Sequence, residues 1–104
     1  MPGTFDTSVR SYRFYRRSSP LITADFADCK LVFIDMGDGK TNFVSQGIII
    51  ANDHATNEIQ FSFDGITVEG DLLAQESMNF FTFRRKIVYL RGSAANEPYR
   101  VWAW

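Results

Sequence analysis

The residues closest to a nucleotide-binding motif are Gly39, Lys40 and Thr41, which match the last part of a phosphate-binding loop. The full motif also needs a glycine five residues before Gly39 and a helix after the motif. Ile34 occupies the glycine position, and the residues after Thr41 read Asn-Phe-Val, which is typical of a strand. The sequence therefore predicts a hairpin turn here rather than a nucleotide site.

The single histidine and the carboxylates offer few combinations that could bind a metal or catalyse a reaction. Asp35, Asp38 and Asn42 surround a glycine-rich turn, but the alternating acids and terminal glutamate of a calcium loop are missing. His54 follows Asp53 in a polar loop, and a triad would need a nucleophile and an orienting acid brought to it by the fold. We therefore predict that the protein is not an enzyme and has no catalytic residue, metal or cofactor.

A basic run beside aromatic residues is a further candidate for chemistry. Arg84, Arg85 and Lys86 follow a segment rich in phenylalanine. Binders of single-stranded nucleic acid use this mixture for phosphate contacts and base stacking. The same run at the start of a strand is also typical of a solvated corner. We favour the corner, so nucleic acid is not among the predicted partners.

The composition indicates one globular domain. The 104 residues are 45% hydrophobic and 22% charged, which is ordinary for such a domain. The single cysteine, Cys29, allows no intramolecular disulfide, and we interpret it as a small buried hydrophobic residue. No apolar run approaches the roughly 20 residues that span a bilayer, and the N-terminus lacks the apolar core of a secretory signal. We therefore expect no membrane partner and no secretion.

Charge is distributed unevenly along the chain. Residues 1–20 contain four arginines and one aspartate, whereas residues 21–104 contain seven basic and eleven acidic residues. A basic segment on an acidic body indicates contact with something negative, such as nucleic acid or the acidic body of a neighbouring copy. Pro20 closes a segment dominated by Ser, Thr, Gly and Arg, so we predict a basic N-terminal arm or edge strand over residues 1–20.

The second half of the chain predicts an antiparallel all-β fold. Short apolar or alternating segments continue to Trp104, and most joins between them contain Gly, Asn-Asp, Asp-Gly or Pro. About seven to nine strands of this kind are typical of a sandwich or a small barrel. We therefore predict a single-domain antiparallel β-sandwich or small barrel over residues 21–104.

Three segments carry sharper local patterns. Residues 30–35 are apolar on both faces, which predicts a central strand covered on both sides. Residues 58–63 alternate, which places Ser62 on the solvent side. Asp64-Gly65 then predicts a tight hairpin turn before a return strand over residues 66–69.

Aromatic and basic residues form two candidate interfaces, one in the arm and one on the last strand. On that strand Arg100, Trp102 and Trp104 share one face, and Tyr99 and Val101 lie on the other. Trp and Arg are typical interface residues if they face outward, and the sequence favours neither orientation over the other. The predicted interface residues are Tyr12, Arg13, Phe14, Tyr15, Arg16, Arg17, Arg100, Trp102 and Trp104.

Several features of residues 47–104 occur together: a hydrophobic strand ending in Ala51-Asn52-Asp53, an FSFDG hairpin, an LLAQES turn, an IVYLRG strand and a final VWAW. In this pattern the chain resembles small all-β virion proteins of tailed bacteriophages, namely head-decoration (cement), connector or tail-associated proteins. The resemblance implies a β-sandwich without catalytic residues. It also implies many copies, with partners among copies of itself and other virion proteins of the capsid, portal or tail.

We therefore expect a structural bacteriophage virion protein, made in the host cytoplasm and present in the particle as a homo-oligomer. The arm would dock on a neighbour, the Trp102 and Trp104 edge would add an anchor, and deletion of residues 1–17 would leave a folded monomer. The alternative is a carbohydrate- or ligand-binding β-sandwich module, in which Trp102, Trp104 and Tyr89 form a stacking platform.

Overall fold

The predicted all-β class is confirmed by the computed structural model, which describes residues 13–21, 25–82, 84–92 and 97–104. In this part of the chain there are eight strands and one short 3-10 turn over Phe26–Asp28. The strands are β1 (Tyr15–Leu21), β2 (Lys30–Val32), β3 (Ile48–Asn52), β4 (Ile59–Ser62), β5 (Gly70–Leu72), β6 (Ser77–Phe80), β7 (Ile87–Gly92) and β8 (Glu97–Ala103).

The strands form two four-stranded antiparallel sheets with the orders β1-β8-β3-β6 and β2-β7-β4-β5. The first strand pairs with the last, the second with the seventh, the third with the sixth and the fourth with the fifth. The chain is therefore one long hairpin whose tip is β4–β5, and the β3–β8 and β4–β7 pairings join its parts into sheets. This is the strand order of a jelly roll, which confirms the predicted single β-sandwich domain.

The hydrophobic core lies between the two sheets and is built from alternate residues of each strand. Ile48 and Ile50 of β3 and Val88 and Leu90 of β7 are completely buried. Successive side chains of a strand point to opposite faces, so a spacing of two keeps such residues on the inner face. Complete burial of a side chain of this size contributes about 1.5–3 kcal/mol. The sandwich is therefore held together by the interdigitated inner faces of both sheets.

The connections between strands lie at two opposite ends of the sandwich, because neighbouring strands run antiparallel. The β3–β4 and β5–β6 connections lie at what we call the Asn52 end, with the ends of β1 and β7 and the starts of β2 and β8, and here the Asn52 amide donates to the Leu72 carbonyl at 3.0 Å. The β2–β3, β4–β5 and β6–β7 connections, the start of β1 and the end of β8 share what we call the Trp104 end. Here the Ser45 N–H donates to the Arg85 carbonyl at 2.8 Å, which ties the β2–β3 and β6–β7 connections together.

The strand predicted over residues 30–35 is shorter than expected, and its predicted central position is wrong. β2 ends at Val32 and lies at the edge of its sheet, and Ile34 beyond it makes an isolated bridge to Asn42. Leu31 is buried, whereas Val32 and Ile34 are half-buried. The second apolar face of this segment is therefore only partly covered.

The β4–β5 hairpin also differs from the prediction. β4 pairs with Gly70–Leu72, so the return strand predicted over residues 66–69 is wrong and residues 63–69 form a longer connection. The Asp64 carboxylate accepts hydrogen bonds from the backbone N–H groups of Ile66 and Thr67 at 2.8 and 2.7 Å. Ser62 is completely buried rather than exposed, and its hydroxyl donates to Asp64 at 2.9 Å. The Ser62 hydroxyl also accepts from the Gly65 N–H at 2.9 Å, so Asp64 and Ser62 together organise this connection, without a two-residue turn.

Candidate interaction surface

β8 alternates between the core and the outer surface of its sheet. Tyr99 and Val101 are 2% and 0% exposed. Arg100, Trp102 and Trp104 lie on the opposite face, where Trp102 is half-buried and the other two are exposed. The structure therefore decides the question that the sequence left open, because the two indoles lie outside the core.

Arg100 is held in place on this outer face by an acidic partner. Its Nε and one terminal nitrogen donate to the two carboxylate oxygens of Asp53 at 2.7 and 2.9 Å. This hydrogen-bonded ion pair raises the pKa of Arg100. The guanidinium carbon also lies 5.2 Å from the centre of the Trp102 ring. An exposed ion pair contributes little stability, so its main effect is to fix the guanidinium beside the indole.

Trp102 lies in a row of side chains that crosses the outer face of the first sheet. The strand register places Arg16 of β1 opposite Trp102 on one side and Ile49 of β3 opposite it on the other. Asn79 of β6 lies opposite Ile49. Side chains that are directly opposite on neighbouring strands share a face and contact each other. The row, which we call the indole row, therefore combines a cation, an indole, an aliphatic chain and an amide.

Trp104 continues this face at the Trp104 end. The Gly47 N–H donates to the Trp104 carbonyl at 3.1 Å, and the Trp104 N–H donates to the Gly47 carbonyl at 3.0 Å. The indole lies against Gly47, because a Cβ at position 47 would be 2.6 Å from its Cε2. The side chain is nevertheless 36% exposed, so part of the ring faces outward. Trp104 is therefore presented on the surface in a fixed position.

Tyr15 does not lie on the surface that was predicted for docking. It is 8% exposed, and its ring centre lies 5.4 Å from that of Phe33. Burial raises the pKa of the Tyr15 hydroxyl. The first residue of β1 is therefore part of the core, and residues 15–21 belong to the sheet as its edge strand.

The other predicted residues of the N-terminal segment are spread over different surroundings. Arg13 lies 3.6 Å from the carboxylate of Asp35, which is 1% exposed. Phe14 is half-buried, whereas Arg16 is exposed. Arg17 lines a cavity of about 320 Å³ between the edge strands β1 and β2. Tyr12 lies outside the described residues. Of the described side chains in this set, Arg16 is the one that pairs in register with Trp102, so these side chains do not form one compact patch.

Exposed apolar side chains are concentrated at the Trp104 end. Among the described residues, seven large hydrophobic side chains are exposed, and six of them lie at this end. Of these seven described side chains, Leu73 is the one at the Asn52 end. The six are Met36, Val44, Ile66, Val68, Phe81 and Trp104. Among the side chains that the structure describes, the exposed large hydrophobic ones therefore lie mainly at the Trp104 end.

A basic groove of about 340 Å³ opens at the same end. Arg84, Arg85 and Lys86 form its charged wall, and its other lining residues are Val44, Phe63 and Ile87. The guanidinium of Arg85 lies 5.4 Å from the centre of the Phe63 ring. The groove thus combines positive charge with an apolar floor, and it suits a partner that carries both acidic and apolar side chains.

The residues first considered for chemistry have structural partners. The ring nitrogen Nδ1 of His54 accepts hydrogen bonds from the N–H groups of Thr56 and Asn57, both at 3.0 Å. The Asp38 carboxylate accepts from the side chain and backbone of Thr41, and these hydrogen bonds lower the pKa of Asp38 well below its usual range. Both side chains therefore shape the loops in which they lie. Across the described ranges there is no group of three His, Cys, Asp or Glu that could hold a metal ion.

Comparison with known proteins adds no relative, because no family model, curated protein or solved structure matches the chain. In the part of the chain that the structure describes, no helix is long and apolar enough to cross a membrane.

The clustering of apolar residues at the Trp104 end was missed by sequence reasoning. These residues are distributed over three connections and the end of β8, and polar residues separate them along the chain. The available signal was the presence of apolar residues such as Ile66 and Phe81 in segments between strands, where polar residues are typical. The topology brings these segments together, and no local pattern does.

Proposed function

We propose that this chain is a structural protein of a bacteriophage particle and acts by protein–protein assembly, with the Trp104 end as its main docking surface. The observation that carries this proposal is that, among the residues the structure describes, six of the seven exposed large hydrophobic side chains lie at one end of the sandwich. A concentration of exposed apolar side chains in one region typically marks an interaction site, because apolar surface gains free energy when a partner covers it.

The indole row supports the same proposal. Trp and Arg are the residue types that most often dominate the binding energy of an interface. Trp102 and Trp104 are held on the outer face by Arg100 and Gly47, so neither ring has to be ordered when a partner binds. Arg16 adds an exposed positive charge opposite Trp102. We therefore propose that this row is the second part of the docking surface.

The jelly-roll fold is compatible with this role but does not select it. Both viral capsid proteins and lectins use this strand order, and a fold by itself does not fix a function. The proposal therefore depends on the surface residues, together with the resemblance to phage virion proteins.

The first test is the composition of the particle. In purified particles of the phage that encodes the chain, mass spectrometry should find its peptides in a fixed ratio to the major capsid protein. Absence of the chain from complete particles would overturn the proposal.

The second test addresses the surface. Purified protein should rebind to particles that lack it, and the variants Ile66→Ser and Phe81→Ser should each weaken rebinding about 10-fold or more, as expected for hot-spot residues. Leu73→Ser is the matched control, because Leu73 is 57% exposed at the Asn52 end. Equal losses in all three variants would show that the Trp104 end is not the docking surface.

A second candidate function is carbohydrate binding, and the exposed indoles of Trp102 and Trp104 are the observation that favours it. The predicted platform of three aromatic residues is not formed, because Tyr89 belongs to β7 of the other sheet. A titration of Trp fluorescence against a glycan panel tests this alternative. A saturable change that Trp102→Ala abolishes would support glycan binding over assembly.

A further inference from the structure

The cations of the basic groove are available to a partner. Arg84, Arg85 and Lys86 are exposed and form no ion pair with any described residue. Arg13 and Arg100 differ from them, because these two arginines lie beside Asp35 and Asp53. Three adjacent cations without an acidic partner repel one another, so a negatively charged partner would relieve that repulsion.

The β4–β5 connection has the complementary character and begins where the groove ends. Phe63 lines the groove and is also the first residue of this connection. Ile66 is 84% exposed at its centre, and Asp64 and Glu69 lie on either side of it. The whole segment from residue 41 to residue 83 contains six acidic residues and no lysine or arginine.

The groove and this acidic-apolar connection both lie at the Trp104 end, so that end carries two halves of one complementary contact. Both halves find a partner when two copies associate about a two-fold axis, because the β4–β5 connection of each copy then lies in the basic groove of the other. We infer that a second copy of this chain is the partner at the Trp104 end, with the loop around Ile66 of each copy in the basic groove of the other.

This inference deepens the proposed function and depends on it, since it names the first partner in assembly. A nucleic acid fits the same groove less well. The ring of Phe63, on which a base would stack, already packs against Phe61 and Phe80 and lies beside the guanidinium of Arg85. A second copy supplies both the acidic and the apolar groups that the groove suits.

Reversal of the charges in the β4–β5 connection, in the basic groove, or in both tests this geometry. The mass of the wild-type protein, measured by light scattering over a range of concentrations, should approach that of a dimer, and added salt should weaken association. Glu69→Lys alone and Arg84→Glu/Lys86→Glu together should each raise the dissociation constant about 10-fold or more, because like charges then face each other. Glu58→Lys, at the Asn52 end, is the matched control and should leave the mass unchanged.

The mixture of the two exchanged proteins gives the decisive result. Each protein fails to pair with itself, but a mixed dimer restores opposite charges at both contacts, and a chain that carries all three exchanges should also form dimers. Circular dichroism and a thermal melt of each variant separate loss of association from loss of fold.

Three results would overturn the inference: a wild-type protein that stays monomeric, exchanged variants that still form dimers with themselves, or a mixture that does not associate. Each of these would leave the proposed function untouched, because the presence of the chain in particles is measured separately.

Discussion

The indole of Trp104 occupies the space directly above Gly47, where any other residue would place its side chain. A Cβ at position 47 would be 2.6 Å from Cε2 and 3.0 Å from Nε1 of the ring. The backbones of the two residues are joined by hydrogen bonds in both directions, so neither can move away without breaking the end of the sheet. Gly47 therefore determines how Trp104 is presented on the outer face.

Gly47→Ala should displace this indole and lower the free energy of unfolding by about 1–3 kcal/mol, as overpacking does. Urea denaturation measures the stability, and Trp fluorescence should shift to longer wavelength as the ring becomes more hydrated. The double variant Gly47→Ala/Trp104→Ala should lose much less than the two single variants added together, because no ring remains to clash with the methyl group. Additive losses would contradict the proposed contact.

Asn52 should be among the most sensitive polar positions in the protein. It is 1% exposed, and its amide nitrogen lies 2.8 to 3.1 Å from the carbonyl oxygens of Asn57, Leu72 and Leu73. Asn52→Ala would leave these buried acceptors without a donor and should cost about 2–3 kcal/mol in denaturant unfolding.

Asn52→Asp offers a sharper version of this test. At neutral pH a carboxylate would face three carbonyl oxygens, so the loss should exceed that of Asn52→Ala. Burial would raise the pKa of the new carboxyl, and stability relative to Asn52→Ala should recover at low pH, where the protonated group donates one hydrogen bond. An Asn52→Asp protein whose stability relative to Asn52→Ala is independent of pH would contradict this assignment.

Protonation of Asp64 should account for part of the stability that the folded protein loses at acid pH. Hydrogen bonds from the backbone of Ile66 and Thr67 and from the Ser62 hydroxyl lower its pKa from 3.8 to about 2. The folded state therefore binds the proton less tightly than the unfolded state, so this contribution is complete above pH 3.8 and is lost as the pH falls to about 2.

Unfolding measured between pH 2 and 5 should show this loss in the wild type and less of it in Asp64→Asn, which keeps an acceptor for the two N–H groups. Asp64→Ala, which has no acceptor, should be less stable over the whole range. The same acid dependence in Asp64→Asn and in the wild type would show that another group is responsible.

Deletion of residues 1–17 should destabilise the protein rather than leave a folded monomer. It removes Tyr15, which is buried against Phe33, and the first part of a strand that pairs with β8. Loss of a large buried aromatic side chain costs about 3–5 kcal/mol, and Tyr15→Ala alone should show most of this effect in a thermal melt. Arg16→Ala, which removes an exposed side chain of the same strand, is the control and should preserve the melting temperature.

The sequence predicted the all-β fold class, the alternation of buried and exposed side chains along the strands, and the antiparallel direction of neighbouring strands. Alternation on β8 and at residues 58–61 requires a two-residue period with one buried face, and turn residues between such segments imply antiparallel strands. These features are local, so they can be read without knowing which strands are neighbours. The candidate residues Arg100, Trp102 and Trp104 were also found this way, because they share one face of one strand.

Only the tertiary structure decided which strands pair and what meets at each end. Pairing of β1 with β8 joins residues 76 to 88 positions apart, and no local pattern specifies a partner at that distance. It moved Tyr15 into the core, placed Arg16 beside Trp102, and turned both indoles outward because Tyr99 and Val101 fill the interior. The apolar end likewise exists only because three separate connections meet there, and this follows from sheet topology, which the spacing of residues along the chain does not contain.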